Sequence, residues 1–103
     1  MHAAIADKHE EIAEICRQFE VERLEVFGSA ARGTDFDPET SDVDFVVEFT
    51  RRGDPASLDQ YFDFRDALCR SLERPVDLIE SGTIRNPYLQ EAIDKSRELI
   101  YVL

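Results

Sequence analysis

The chain has 103 residues, 43% of them apolar and 34% charged, the balance of an ordinary soluble domain rather than of a collagenous or disordered chain. Its 12 lysines and arginines against 23 acidic side chains leave a net charge of −11, which excludes a broad nucleic-acid surface because phosphate backbones demand a basic footprint. No apolar run reaches bilayer-spanning length and charges are scattered through residues 1–20, so the expectation is one cytoplasmic domain, with no transmembrane segment and no secretory leader. The acidity suits a basic protein partner or a site that collects cations, although taken alone it is better explained by solubility.

In chain order, Ile5, Ile12, Ile15, Cys16 and Phe19 recur at helical spacing among charged residues and predict one amphipathic helix over 3–19. Residues 22–27 predict a strand with Leu24 and Val26 on one face. Gly28 breaks it, Ser29 to Arg32 fits a single helical turn, and Gly33 suits the left-handed residue that closes such a turn. A polar loop over 34–41, containing Pro38, leads into the clearest strand, 42–49. There Val43, Phe45, Val47 and Phe49 share one face, and Asp42, Asp44, Val46 and Glu48 share the other.

After a turn at Gly53, Asp54 and Pro55, Ser57 with Gln60 at capping-box spacing opens a second long helix. Its expected buried stripe is Leu58, Tyr61, Phe62, Leu68, Cys69 and Leu72. Pro75 ends that segment, 76–79 is a short strand, and Asn86 with Pro87 opens a helix through about Ser96. Residues 99–103 add a last strand. The order predicts an α/β domain, in the α+β sense, with a mixed sheet of about four strands flanked by helices. Cys16 and Cys69 fall at apolar helix positions and read as reduced core residues, without zinc spacing to His2 or His9.

The chemistry gathers in three places. Asp42 and Asp44, two apart on a strand, share a face with Cα atoms about 6.5 Å apart. Carboxylates that close repel each other unless a hard divalent cation lies between them, and Mg²⁺ commonly takes one or two carboxylates plus waters and substrate phosphates. Asp77 interrupts an otherwise apolar strand. If that strand neighbours the first, three carboxylates meet and hold two cations, which clamp the attacking and leaving oxygens of a displacement at phosphorus. Asp77 is then placed to accept the proton of the attacking hydroxyl. Gly28 and Ser29, at a strand-to-helix turn, offer backbone amides and a hydroxyl to a phosphate. Arg32, one turn on, either neutralises phosphate charge or pairs with a carboxylate of the acidic loop.

Taken singly, each piece has a plainer reading: a turn, a solvent-facing strand, an edge residue. Asp35, Asp37 and Glu39 lack the glycine and distal glutamate of an EF-hand and read as a solvated loop. The combination in this order is what carries the inference.

Gly28-Ser29-Ala30-Ala31-Arg32-Gly33, followed by Ser41-Asp42-Val43-Asp44-Phe45-Val46-Val47, resembles the signature of the polymerase-β-like nucleotidyltransferase superfamily. That signature is G-S-x-A-R-G, a loop, then S-D-x-D and three apolar residues. Asp77, in Pro75-Val76-Asp77-Leu78-Ile79, matches the family's third carboxylate, and the resemblance covers residues 24–79. It implies the nucleotidyltransferase fold, catalytic and metal-binding roles for Asp42, Asp44 and Asp77, and nucleotide binding by Gly28, Ser29 and Arg32. The short chain is similar to the minimal nucleotidyltransferases, which lack a substrate lobe and are commonly paired with HEPN-domain ribonuclease toxins. The resemblance therefore implies an Mg²⁺-dependent antitoxin that transfers AMP from ATP to a tyrosine of its toxin, in a hetero-oligomer with that toxin. Two other readings stand beside it: a non-catalytic module that neutralises a partner by stoichiometric contact, and the catalytic subunit of a small-molecule nucleotidyltransferase acting on an antibiotic hydroxyl.

Overall fold

The helical pattern at the start of the chain resolves into two helices rather than the single one expected. In a computed structural model describing residues 1–33, 36–37, 42–50 and 58–103, α1 spans Ala3–Ala6 and α2 spans His9–Gln18. Between them the Lys8 amide donates to Ile5 O at 3.0 Å, a tightened turn that bends the axis. The cause is tertiary. The His2 amide donates to Ala30 O at 2.8 Å and the His2 ring lies 4.7 Å from Phe36, so the first turn stays beside the segment that follows the first strand. Ile5 and Ile12 nevertheless both remain buried.

The strand β1 covers Val21–Phe27 and begins one residue before the expected start. Simple alternation sends Val21 to the face opposite Leu24 and Val26. A bulge between Val21 and Arg23 shifts the register by one and brings all three into the same core. Then follow α3 (Ser29–Arg32), β2 (Val43–Phe49), α4 (Leu58–Leu72), β3 (Val76–Glu80), α5 (Pro87–Ser96) and β4 (Glu98–Val102). These last elements fall within a residue or two of their expected positions. The expected Pro38 loop, the Gly53 to Pro55 turn and the Ser57 cap lie outside the described residues.

The stripe on α4 differs from expectation. Phe64, Leu68 and Leu72 are the buried residues, Tyr61 and Cys69 pack against the edge of the core, and Leu58 and Phe62 are exposed. At roughly 100° per residue, Phe62 lies about 200° round the helix from Phe64, so one face cannot bury both. Phe64 wins because Phe19 and Phe49 surround it at 5.8 and 5.7 Å between ring centroids. Gln60 donates to Phe19 O at 2.7 Å and ties the start of α4 to the end of α2.

The four strands form one sheet in the order β3-β2-β1-β4. β1 is antiparallel to both β2 and β4, and β2 is parallel to β3. One face carries Leu24, Val26, Val43, Phe45, Val47 and Phe49 into the main core beneath α2 and α4. The other face carries a smaller cluster in which Phe27 and Val46 meet Ile93 of α5. Because the helices crowd one face and α5 alone backs the other, polar side chains on the second face have room to meet a ligand. Asn86 accepts from the Tyr88 amide at 2.9 Å, the N-cap expected from sequence. Asn86→Ala is expected to cost about 1 kcal/mol, read as a lower urea midpoint at unchanged slope.

Cys16 is buried, and that burial pushes its thiol up to about 12; Cys69 is half-buried and both are free. Among the described residues, no helix is long and apolar enough to cross a membrane.

Candidate active site

The parallel ladder between β2 and β3 decides how the aspartates meet. Val43 pairs with Val76, and Asp44 pairs directly with Asp77. Paired residues of neighbouring strands share a face, about 4.8 Å apart along the hydrogen-bonding direction. Asp42 precedes β2 by one residue, is exposed, and has the parity of Asp44. The expected juxtaposition of Asp44 and Asp77 is therefore present, on the lightly covered face of the sheet.

Asp44 bears the electrostatic consequence. Its burial, then the charges of Asp77 and Asp42, push its carboxyl up to about 6, with Arg32 pulling the other way. Arg32 thus lies within electrostatic reach of Asp44, a carboxylate of β2 rather than of the acidic loop.

The Gly-Ser turn abuts this carboxylate. Phe27, the last residue of β1, is the cross-strand partner of Asp44. The next residue, Gly28, has φ 72° and ψ −151°, a conformation that is essentially glycine's alone. A Cβ placed there meets Asp44 Oδ2 at 2.8 Å, closer than real Cβ atoms come. Glycine is thus required for its backbone, and any side chain there would also push the Asp44 carboxylate aside. The Gly28 carbonyl accepts from the amides of Ala31 and Arg32 at 3.1 and 3.0 Å, so the bonding of α3 starts there and leaves the Ser29 and Ala30 amides ahead of its first bonded donor. Gly33 closes the turn at φ 78°, as its position predicts. Gly28→Ala is expected to cost about 1–3 kcal/mol in strain and to displace the Asp44 carboxylate. The measurement is the denaturation midpoint of the nucleotide-free protein.

The donor set suits a hard cation: the three groups are carboxylates, and the Asp44 carboxyl, pushed up first by burial and then by the charges of Asp77 and Asp42, carries an ionisation cost that a divalent ion relieves. Among the described residues, no three His, Cys, Asp or Glu side chains come together into a group that could hold a metal ion, so the expected cluster of all three aspartates is not closed; only Asp44 and Asp77 are directly paired. Mg²⁺ does not require a closed cluster, since it keeps waters and takes phosphate oxygens from its substrate. Ser41 and the acidic residues Asp35 and Glu39 lie outside the described residues. A separate cleft of about 390 Å³ between α4 and β3, where Leu58 and Phe62 face Ile79 and Thr83, contains none of the three aspartates.

Two features escaped sequence reading. The Gly28 amide donates to Ser96 Oγ at 2.9 Å, across 68 residues, and Arg97 makes a two-pronged pair with the buried Glu25 at 2.9 and 2.6 Å. A serine and an arginine at a helix end carry no local signal for such contacts. A charged residue between Leu24 and Val26 was the only hint of a buried ion pair, and alternation reads it as solvent-facing.

The sequence model described as Polymerase beta, Nucleotidyltransferase matches residues 10–102. The chain belongs to that nucleotidyltransferase family. Within it, a Methanocaldococcus jannaschii protein, provisionally named a protein adenylyltransferase, is 36% identical over 98 residues, covering 95% of this chain and 91% of its own. The solved structure provisionally described as a minimal nucleotidyltransferase superposes with a TM-score of 0.73 at 27% identity, covering 95% of each chain. A chain in the solved complex of a tri-AMPylated Shewanella oneidensis HEPN toxin with MNT antitoxin superposes with a TM-score of 0.66, covering 95% of this chain and 72% of that one. At 15% identity that likeness speaks for the nucleotidyltransferase fold alone. The expected fold class, a mixed four-stranded sheet flanked by helices in a nucleotidyltransferase, is thus established.

Proposed function

We propose that this nucleotidyltransferase is a cytoplasmic antitoxin enzyme, a single minimal domain, that transfers AMP from ATP to a tyrosine hydroxyl of a cognate HEPN toxin. The observation that carries it is the in-register Asp44–Asp77 pair with Gly28 packed against the Asp44 carboxylate. The provisional adenylyltransferase name of the relative, and the AMPylated toxin in the structurally similar complex, support AMP as the group and a HEPN toxin as the acceptor.

In this reading Ser29, with the amides opening α3, binds nucleotide phosphate, and Arg32 neutralises charge beside it. Asp42, Asp44 and Asp77 would hold Mg²⁺, two ions in the full site, which would supply neutralisation of phosphate charge and polarisation of the phosphorus centre. The tyrosine oxygen forms a bond to the α-phosphorus, the bond from that phosphorus to the bridging oxygen breaks, and pyrophosphate leaves. Asp77 accepts the tyrosine proton. The toxin positions its own tyrosine, which makes the reactive species a hetero-oligomer.

Incubation with the product of the neighbouring gene, ATP labelled at the α-phosphate, and Mg²⁺ is expected to label a tyrosine of a HEPN toxin. Tryptic mass spectrometry is expected to show an added AMP. Full protection of cells from the toxin by a chain that transfers no label would overturn the catalytic reading in favour of neutralisation by contact. Label on an antibiotic hydroxyl instead would place the chain among small-molecule nucleotidyltransferases.

A further inference from the structure

We propose that Ser96 is a positioning residue of the active site, holding the Gly28–Ser29 turn in its nucleotide-binding geometry through the Gly28 amide. The inference rests on the nucleotidyl-transfer reading above and adds a residue that the family motif does not contain.

A serine hydroxyl has one proton and two acceptor lone pairs. The Ser96 hydroxyl donates to Ala92 O at 3.1 Å, one turn back along α5, and accepts from the Gly28 amide at 2.9 Å. With its proton committed to its own helix, its lone pairs are aimed at Gly28. The Gly28 carbonyl is fixed from the other side by the amides of Ala31 and Arg32. The two bonds together hold both flanks of a glycine whose conformation no side chain enforces. That glycine sets the direction in which Ser29 is presented, and a Cβ there would meet Asp44 Oδ2 at 2.8 Å. A hydroxyl at the end of α5 thereby determines how the turn faces the carboxylates. The adjacent Arg97, which follows α5, grips Glu25 of β1, so the end of α5 is tied both to β1 and to the turn that follows it, by two different chemistries.

The test uses Ser96→Ala and the shape-matched pair Ser96→Thr and Ser96→Val. Threonine keeps a hydroxyl able to bond the carbonyl one turn back, and valine does not. Amide hydrogen exchange of the nucleotide-free protein is read by NMR. The Gly28 amide is expected to exchange about tenfold faster in the Ala and Val variants, the factor worth one ordinary hydrogen bond. The amides of Val43 to Val47 are expected to exchange as in wild type, and Ser96→Thr is expected to restore Gly28. In transfer assays the KM for ATP is expected to rise about tenfold in Ala and Val, with a smaller change in kcat, and to recover in Thr. Unchanged Gly28 exchange, an equal rise across all amides, or equal KM for Thr and Val would each overturn the proposal. If the wild type transfers nothing, the function reading fails, while the exchange data still decide whether Ser96 holds the turn.

Discussion

Asp44→Asn is expected to abolish AMP transfer and, at neutral pH, to make the nucleotide-free protein more stable. Both effects come from one charge. Asp44 sits opposite Asp77 with Asp42 two residues away, and burial with those two charges pushes its carboxyl up to about 6 from an ordinary 3.8. A group whose folded value is raised favours folding when protonated. Its contribution is fully present below about pH 4 and is lost as pH rises through about 6. Above that, the ionised carboxylate is held where it is unwelcome, and an uncharged asparagine of the same shape removes the cost. The shift corresponds to roughly 3 kcal/mol at face value; partial exposure to solvent reduces the expected gain to about 1 kcal/mol. That appears as a melting temperature higher by about 4–8 °C, and the gain is expected to vanish in scans below about pH 4. The same substitution removes the charge best placed to share a cation with Asp77, and transfer is expected to fall by about 10³-fold or more. A variant that is stabilised yet still transfers AMP would show that Asp44 is strained for some other reason.

The legibility of this site in the sequence follows from where its constraints originate. Asp42 and Asp44 were readable because strand periodicity is local, and Gly28 was readable because a strand running into Gly-Ser is a local event. The pairing of Asp44 with Asp77 was a conditional expectation. It depended on β2 and β3 being neighbours, which the parallel crossover through α4 provides. The bulge at Val21 and the break after Ala6 were not readable, since each answers to a tertiary demand. Val21 must reach the core, and His2 must remain against Ala30. The α4 stripe failed for a related reason. Phe62 and Phe64 are equally apolar, and the placement of Phe19 and Phe49 chooses between them. Ser96 is the extreme case, a residue whose meaning depends wholly on a partner 68 positions away.

Arg97→Met is expected to cost about 3 kcal/mol, and the reason lies with Glu25 rather than with the arginine. Glu25 is 5% exposed on the α5 side of the sheet, and its two oxygens accept from Arg97 Nε and Nη2, with Arg23 a longer third partner at 3.2 Å. The hydrogen bonds from Arg97 hold the Glu25 carboxyl below its ordinary value, against the burial that pushes it up. Removing the guanidinium leaves a buried carboxylate with one partial partner, which is costlier than the pair itself is favourable. Arg97 is also bonded to Asp94 at 2.7 Å, but that carboxylate is open to water and its loss is expected to matter little. Two outcomes follow. Glu25→Gln combined with Arg97→Met should cost less than the two single losses added, because the double variant contains no stranded charge. The penalty of Arg97→Met alone should also shrink as pH falls below about 4.5, the ordinary glutamate value, since stability from a depressed carboxyl is present above it and lost as the group protonates. Urea midpoints at pH 7 and pH 4 measure both. An additive double variant with a pH-independent penalty would instead assign the cost to lost packing of the arginine stem against the sheet.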